Sequence, residues 1–433
     1  MADIRPFRAI RYSDSVSIDD AVTPPYDVIN ADQQRAFYEQ SPENFVRIDL
    51  GVQQESDTHE NNRYTRARQT LMDWLAEGIL ELDKEPCIYY HEQTFQNESG
   101  EEMKRKGFFA TLRLADYEEG IVLPHERTLK GPKIDRLNLM KETECHLSPV
   151  FFLYDDPEGE VDKALASTQK PVADLKTKDG VRHVLWKVSS PEAIEKVQNF
   201  LKDEAVLIAD GHHRYETALA YRQHRRNYAV EENSNAPYEF ALGFFVNFRD
   251  PGLAVFGTHR VVHHLEGFDF DAILTRISER SEFQIEILES DSVEDFRDAV
   301  TQAGEKHPSF ILLSPGKEAC LIRYVGTSDS DLFDDDTPED VRVLDVAILH
   351  EGIFDRMLGL SKSVQEAKTN LKYIKGFDEA YAMRKNDENQ LIVLMNATKI
   401  EQVNAVCRSG GKMPQKSTFF YPKVLSGLLV NPA

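Results

Sequence analysis

The sequence predicts an α+β fold, a mixed β-sheet core flanked by N-terminal and C-terminal α/β portions. Three observations predict it. Apolar runs of strand length are interspersed with stretches whose apolar residues recur at i, i+3 and i+4. A hairpin pattern in the first third gives way, from about Phe268, to alternating strands and helices. The 433 residues are 41% apolar and 29% charged, enough apolar material for the cores of two or three ordinary domains.

In chain order, TPPYDVIN is a Pro-rich turn that opens a helix near Ala31, and NFVRIDLG alternates as a strand ending at Gly51. Asn62 to Ile79 places Leu71, Trp74, Leu75 and Ile79 on one helical face. CIYYHEQTF and KGFFATLRLADY are two strands around a polar, Gly-containing turn. A helix follows over Asp135 to Glu144, then an apolar strand from Val150 to Tyr154, the strand HVLWKV, and a helix opened by Pro191. AVLIAD is a buried strand running into GHHR and a helix, YETALAYRQHRR, with Tyr215, Ala218 and Leu219 at i, i+3 and i+4. Its first-turn Glu216 and late Arg222, Arg225 and Arg226 suit the helix dipole. FALGFFVNF is a strand. FRDAVTQAG, SFILLS, VRVLDVAILHEGIFDRMLGL and LIVLMNAT then predict helix, strand, a long helix and strand. The expected portions are 1–118, a core over 119–265, and 266–433.

Charge and composition exclude several classes. The 51 Lys+Arg face 74 Asp+Glu, a net charge of −23, so the surface repels nucleic acid and anionic lipid. No apolar run approaches the roughly 18 residues that span a bilayer. MADIRPFRAIRYSD lacks the apolar region of a secretory signal. A cytoplasmic protein with no nucleic-acid or membrane partner is expected. Cys87, Cys145, Cys320 and Cys407 are far apart with no CxxC, which fits small buried hydrophobes. The acidic stretch TSDSDLFDDDTPED lacks Ca²⁺-loop spacing and is expected as a solvated loop.

The sharpest chemical feature is VLIADGHHRYETALAY. A strand, a glycine and a polar triplet at a helix start present unpaired N–H groups and the positive end of a dipole. Gly211 permits a tight turn and close approach of a ligand. Arg214 has the fork to grip a phosphate, His212 and His213 supply donors or a proton relay, and Asp210 can hold a metal ion or orient a hydroxyl. The structural alternative has Asp210 capping the helix and Arg214 paired to a carboxylate. HERTLKGPKIDR offers Glu126 as a base beside His125, with Arg127, Lys130, Lys133 and Arg136 as cations for an anionic ligand, or as a solvated loop. GGKMPQKSTFFYPK offers Lys416, Ser417, Thr418 and Lys423 as phosphate contacts without a Walker A pattern. His259 and Arg260, in THR, and the PPYDVI turn are further pocket candidates.

These segments together, PPYDVI, NFVRIDLG, HERTLKGPKIDRL, LSPVFFLYDD, ADGHHRYETALAY, THRVV and MPQKSTFFYPK, resemble a prokaryotic family, domain of unknown function 1015, over nearly the whole chain. More remotely, DGHHR resembles the phosphate-binding turn of the ParB/sulfiredoxin-like superfamily, which includes sulfiredoxin, the CTP-binding ParB proteins and kinases of free serine. That resemblance implies phosphate binding at Gly211, His213 and Arg214. It also implies the kinases' aspartate at Asp210 and their catalytic glutamate at Glu126, which follows the same Pro-His pair. His212 stands where sulfiredoxin has its cysteine, so sulfinic acid repair is not implied. No basic helix-turn-helix follows the turn, and 84 positions (210 − 126) separate Glu126 from Asp210, long for the small superfamily fold.

The expectation is phosphoryl transfer on a small hydroxylated metabolite such as free serine, or its reverse as a phosphoserine phosphatase. ATP or ADP would be the donor and Mg²⁺ at Asp210 the cofactor. Glu126, Asp210, His212 and His213 are the catalytic candidates. Gly211, His213, Arg214, Arg127, Lys133 and Arg136 would bind phosphate. His259, Arg260, Lys416, Ser417, Thr418 and Lys423 would bind substrate. HERTLKGPK, DGHHR and KSTFFYPK are expected to converge on one pocket. The alternatives are a nucleotide-binding regulatory protein without turnover and a metal-dependent hydrolase using His212 and His213.

Overall fold

The structure is a computed structural model that describes residues 2–126, 128, 130–166, 170–231, 233–328 and 330–433. The chain forms two compact units. One comprises Met1–Pro124, Thr128–Ala254 and Pro422–Ala433, the other His125–Arg127 and Val255–Tyr421. The architecture is α+β with mixed sheet pairing. No helix among the described residues is long and apolar enough to cross a membrane.

The first unit is built on a nine-stranded sheet among the described residues. Its spatial order is Val122–Leu123, Val206–Asp210, Val150–Tyr154, Phe240–Asn247, Glu102–Arg113, Ile88–Gln96, Arg182–Val188 and Ala173–Lys176, with Ile4–Arg5 added beside Glu102–Arg113. The pairing is mixed. Val206–Asp210 runs parallel to Val122–Leu123 but antiparallel to Val150–Tyr154, and Phe240–Asn247 runs parallel to Val150–Tyr154. The hairpin of Ile88–Gln96 and Glu102–Arg113 is present in register, Tyr89 opposite Phe109 and Gln96 opposite Glu102. Phe245 stacks between Phe108 and Phe152, with ring centroids 5.0 and 5.1 Å away. Such aromatic pairs add to the plain benefit of burial. A neighbouring strand residue must be small for this layer to close: a Cβ on Gly107 would lie 2.6 Å from the Phe245 carbonyl oxygen. The helices Pro191–Leu201 and His212–Tyr228 cover one face through Val197, Leu201, Tyr215 and Ala218.

The second unit carries a six-stranded antiparallel sheet among the described residues. Its order is Phe283–Leu288, Ala319–Tyr324, Ser309–Leu313, Asn389–Met395, His259–His263 and Leu371–Ile374. Phe296 and Val300 of helix Val293–Gly304 and Phe377 of helix Phe377–Ala382 seal its core.

Three local expectations differ from the structure. NFVRIDLG is not a strand: Val46–Asp49 is a short helix. The Asn44 side-chain oxygen accepts the Val46 N–H at 3.0 Å, and Asp49 N–H bonds back to Phe45, so a cap-like start turns the chain. Phe45, Val46 and Ile48 are all fully buried, which the alternating pattern does not foresee. VRVLDVAILHEGIFDRMLGL is not one α-helix. It breaks into Glu339–Arg342 and Asp345–Ala347 and then widens into a π-helix over Ile348–Met357. The helix expected to begin at Asp135 begins earlier, spanning Lys130–Thr143.

Candidate functional site

Val206–Asp210 has four buried residues followed by a half-buried Asp210, so the strand delivers a carboxylate to the edge of the core. The chain then turns at Gly211, whose φ of +95° is a left-handed conformation that costs a residue with a Cβ. A Cβ there would also lie 2.8 Å from Arg214 Nε, so the glycine leaves the room into which the guanidinium folds back. Helix His212–Tyr228 starts at once, and its N-cap glycine supplies no side-chain cap.

Arg214 and Lys423 share the Asp210 carboxylate, at 3.3 and 3.0 Å. Arg214 also donates to the Pro149 carbonyl. The three side chains are only 10, 14 and 20% exposed for Arg214, Lys423 and Asp210, so their charges are weakly screened. Two cations face one carboxylate, and the positive end of the helix dipole has their sign. Next along the helix, Glu216 accepts from Lys133 Nζ at 2.6 Å and from Thr128 at 2.7 Å. His212 is buried and His213 half-buried on the first turn.

Sequence reasoning missed what lies under Lys423. Arg105 is fully buried, donates to Gln93 Oε1 at 2.9 Å and to the Pro422 carbonyl at 2.6 Å, and lies 4.9 Å from the Phe151 ring. Burial depresses its guanidinium to about 9, against the pull of Asp250 and Asp210. Gln93 also donates to the Lys423 carbonyl at 3.4 Å, and His91 stacks on His183. The available signal was a charged or polar residue at the inward positions of two strands that otherwise bury aromatics.

Arg136 is placed differently from its expected role. It is buried against Asp49 at 3.0 Å and Asp135 at 2.6 Å, with the Tyr26 ring of PPYDVI 4.0 Å away. Burial alone would depress it, but the two carboxylates hold it above its ordinary value. A cavity of about 40 Å³, enough for a water or two, lies between this pair, Ser148 and Arg214. Arg127 lies outside the described residues, as does the Lys130 side chain.

In the second unit, Glu126 pairs in parallel with Met413 and its carboxylate accepts the Lys416 N–H at 2.6 Å. His125 Nε2 meets Thr418 Oγ1 at 3.1 Å. Ser417 is buried and donates to the Pro414 carbonyl at 2.6 Å. Arg260 reaches the Lys416 carbonyl at 3.2 Å, while His259 Nδ1 accepts the Met395 N–H. Burial holds His259 neutral, at about 3. The structure thus gathers Asp210, Gly211, His212, His213, Arg214 and Lys423 in one unit, and Glu126 with His259, Arg260 and Lys416 to Thr418 in the other.

With Arg214 and Lys423 on its carboxylate, Asp210 does not fit a resident Mg²⁺. Asp210 is engaged by two cations, and a divalent ion there would put a third positive centre on one carboxylate. No cluster of three His, Cys, Asp or Glu side chains with metal-holding geometry occurs among the described residues.

Several solved structures share a distant likeness. A conserved hypothetical protein from Pyrococcus furiosus is 15% identical over 73% of this chain and 92% of that one, with a TM-score of 0.35. A free serine kinase in complex with AMP is 13% identical over 73% and 86%, with a TM-score of 0.34. A C-terminally truncated SbnI from Staphylococcus aureus is 8% identical over 71% and 82%, with a TM-score of 0.33. No curated protein matches the sequence. The family described as "Protein of unknown function (DUF1015)" matches residues 4–347, and the chain belongs to it.

Proposed function

We propose that the chain transfers a phosphoryl group from ATP or ADP to the hydroxyl of a small metabolite, with free serine the first acceptor to test. The observation that carries this reading is the turn at Asp210–Arg214. An uncapped helix start, a positive-φ glycine and two cations sharing one carboxylate form a seat for a polyanion in a chain of net charge −23. Donor phosphates on the helix N–H groups would draw Arg214 and Lys423 from Asp210 onto phosphate oxygens. The acceptor oxygen bonds to phosphorus as the bond to the leaving phosphate breaks, and the hydroxyl proton passes to a base. His212 and His213 lie on the helix of this turn, and Glu126 is the base that the kinase resemblance implies. Phosphoserine hydrolysis uses the same parts with water as acceptor.

Calorimetric titration of ATP and ADP into wild type and Arg214→Ala tests the donor site. Removing a bidentate charged contact should weaken binding by about tenfold or more. Unchanged affinity would remove the assignment. Glu126→Gln and Asp210→Asn, assayed with serine, should keep nucleotide binding and lose turnover. The double engagement of Asp210 favours one other reading, a regulatory protein that binds nucleotide without turnover. Binding in wild type with no turnover on serine or phosphoserine selects it.

A further inference from the structure

Arg260 is a buried charge without a counter-ion. It is 1% exposed, and its Nε donates to His350 Nε2 at 3.1 Å. Its other donors go to the carbonyls of Thr258 and Lys416, and the Tyr373 ring lies 5.3 Å away. Every acceptor is neutral, and among the described residues no carboxylate forms an ion pair with it. A buried guanidinium in that state leaves a large uncompensated cost.

Arg260 does not itself line the cavity beside it; His350, on which its Nε rests, does. Gln365 Nε2 donates to the His350 and Leu360 carbonyls, so its Oε1 faces His350 Nδ1, at 2.6 Å. Nδ1 therefore carries the proton and Nε2 accepts from Arg260. Burial and then the Arg260 charge push His350 down to about 3, so the ring stays neutral. His350, Gln365 and Tyr373 line a cavity of about 280 Å³, with Lys412, Gln415 and Glu366 also in its wall. The wall holding His350 is the π-helix Ile348–Met357, a geometry that is rare in proteins and concentrated at functional sites.

We propose that this cavity binds a small ligand through one acidic group, a carboxylate or a phosphate monoester, seated beside Tyr373, whose ring packs against Arg260. The group offsets the charge of Arg260. The Tyr373 hydroxyl, the Gln415 amide and the Lys412 ammonium are the donor types in the cavity wall. Glu351 lines the cavity but is already committed, accepting from Thr337 at 2.9 Å and meeting Lys362 at 3.4 Å. Glu366 and Asp336 in its wall repel polyanions, so the ligand carries a low charge and is not a nucleotide polyphosphate. The inference uses no residue of the Asp210–Arg214 turn and stands without the phosphoryl-transfer reading.

The test is calorimetry on the full chain carrying Arg214→Ala, which disables the other anion seat, with acetate, inorganic phosphate and pyrophosphate as probes. Acetate or phosphate should bind, and which of them binds tighter names the acid class. Pyrophosphate should bind about tenfold more weakly than phosphate. Arg260→Gln should weaken binding by about tenfold. Glu366 is exposed, so Glu366→Lys keeps the test open if Arg260→Gln fails to fold, and it should tighten binding about threefold. Absence of binding by both small anions, or an affinity indifferent to Glu366→Lys, overturns the proposal.

Discussion

Asp210 holds two cations that come from very different places in the chain. Arg214 is four residues away and one helical turn up, so that contact was foreseeable as the structural alternative, a pairing to a carboxylate. Lys423 is 213 residues away, and no local pattern could join the two. The same holds for Arg136, whose partner Asp49 lies 87 positions upstream. A basic residue in a loop motif therefore shows its charge in the sequence but not the carboxylate that takes it. Two outcomes follow at this scale. Gly211→Ala must adopt φ near +95° and crowd Arg214, so chemical denaturation should show a loss of about 1–3 kcal/mol. Its nucleotide affinity should fall with it. Asp210→Asn removes the carboxylate that competes with phosphate for Arg214 and Lys423. Pyrophosphate should then bind several-fold more tightly, even as the variant loses stability from its largely buried ion pairs. Weaker pyrophosphate binding in Asp210→Asn would show that the aspartate contacts the ligand.

At the scale of elements, the strands and helices with strong periodicity were readable and the segments shaped by long-range packing were not. VLIAD is a strand because four consecutive apolar residues find neighbours on both sides. Asn62 opens the helix Arg63–Ala76 with a reciprocal cap to Thr65, as its side-chain chemistry dictates. The stretch from Val341 to Met357 has helical apolar spacing, yet spacing cannot separate a turn of 3.6 residues from a wider one. Ile348, Leu349, Ile353 and Phe354 are fully covered, and the segment that carries them adopts the π form. Gly352 sits inside it at a backbone angle open to other residues. A Cβ there would meet Leu332 at 3.5 to 3.7 Å, ordinary contact distance. Gly352→Ala should therefore stabilise the second unit by about 0.4–1 kcal/mol, chiefly by restricting the unfolded chain. A urea midpoint that falls instead would mean that the π-helix needs glycine's freedom.

At the scale of the whole molecule, buried titratable groups in both units set how stability responds to pH. Burial holds His146 at about 4, His183 at about 3, His259 at about 3 and His350 at about 3. Each folded value lies below the ordinary 6.5, so the unfolded chain takes up a proton first as pH falls. Stability contributed by these rings is complete above pH 6.5 and is lost as pH drops toward their folded values. Two carboxyls act in the opposite sense. Burial raises Asp250 and Asp345 to about 6, so the folded chain protonates first, and each adds stability as pH falls from about 6 toward 4. Each group contributes a slope of about 1.4 kcal/mol per pH unit within its window. Burial also holds His91 down and Asp162 up, so the lowered histidines outnumber the raised carboxyls and stability falls below pH 6. Near pH 6.5 the carboxyls are mostly ionised in both states, so the histidines act first. Urea midpoints measured in half-unit steps from pH 7.5 to pH 4.5 should therefore hold level, then fall from about pH 6.5. A midpoint that rises on acidification would mean that the carboxyls outweigh the imidazoles. His350→Gln should lower the slope by about one proton's worth, because its ring is among those that must charge on unfolding.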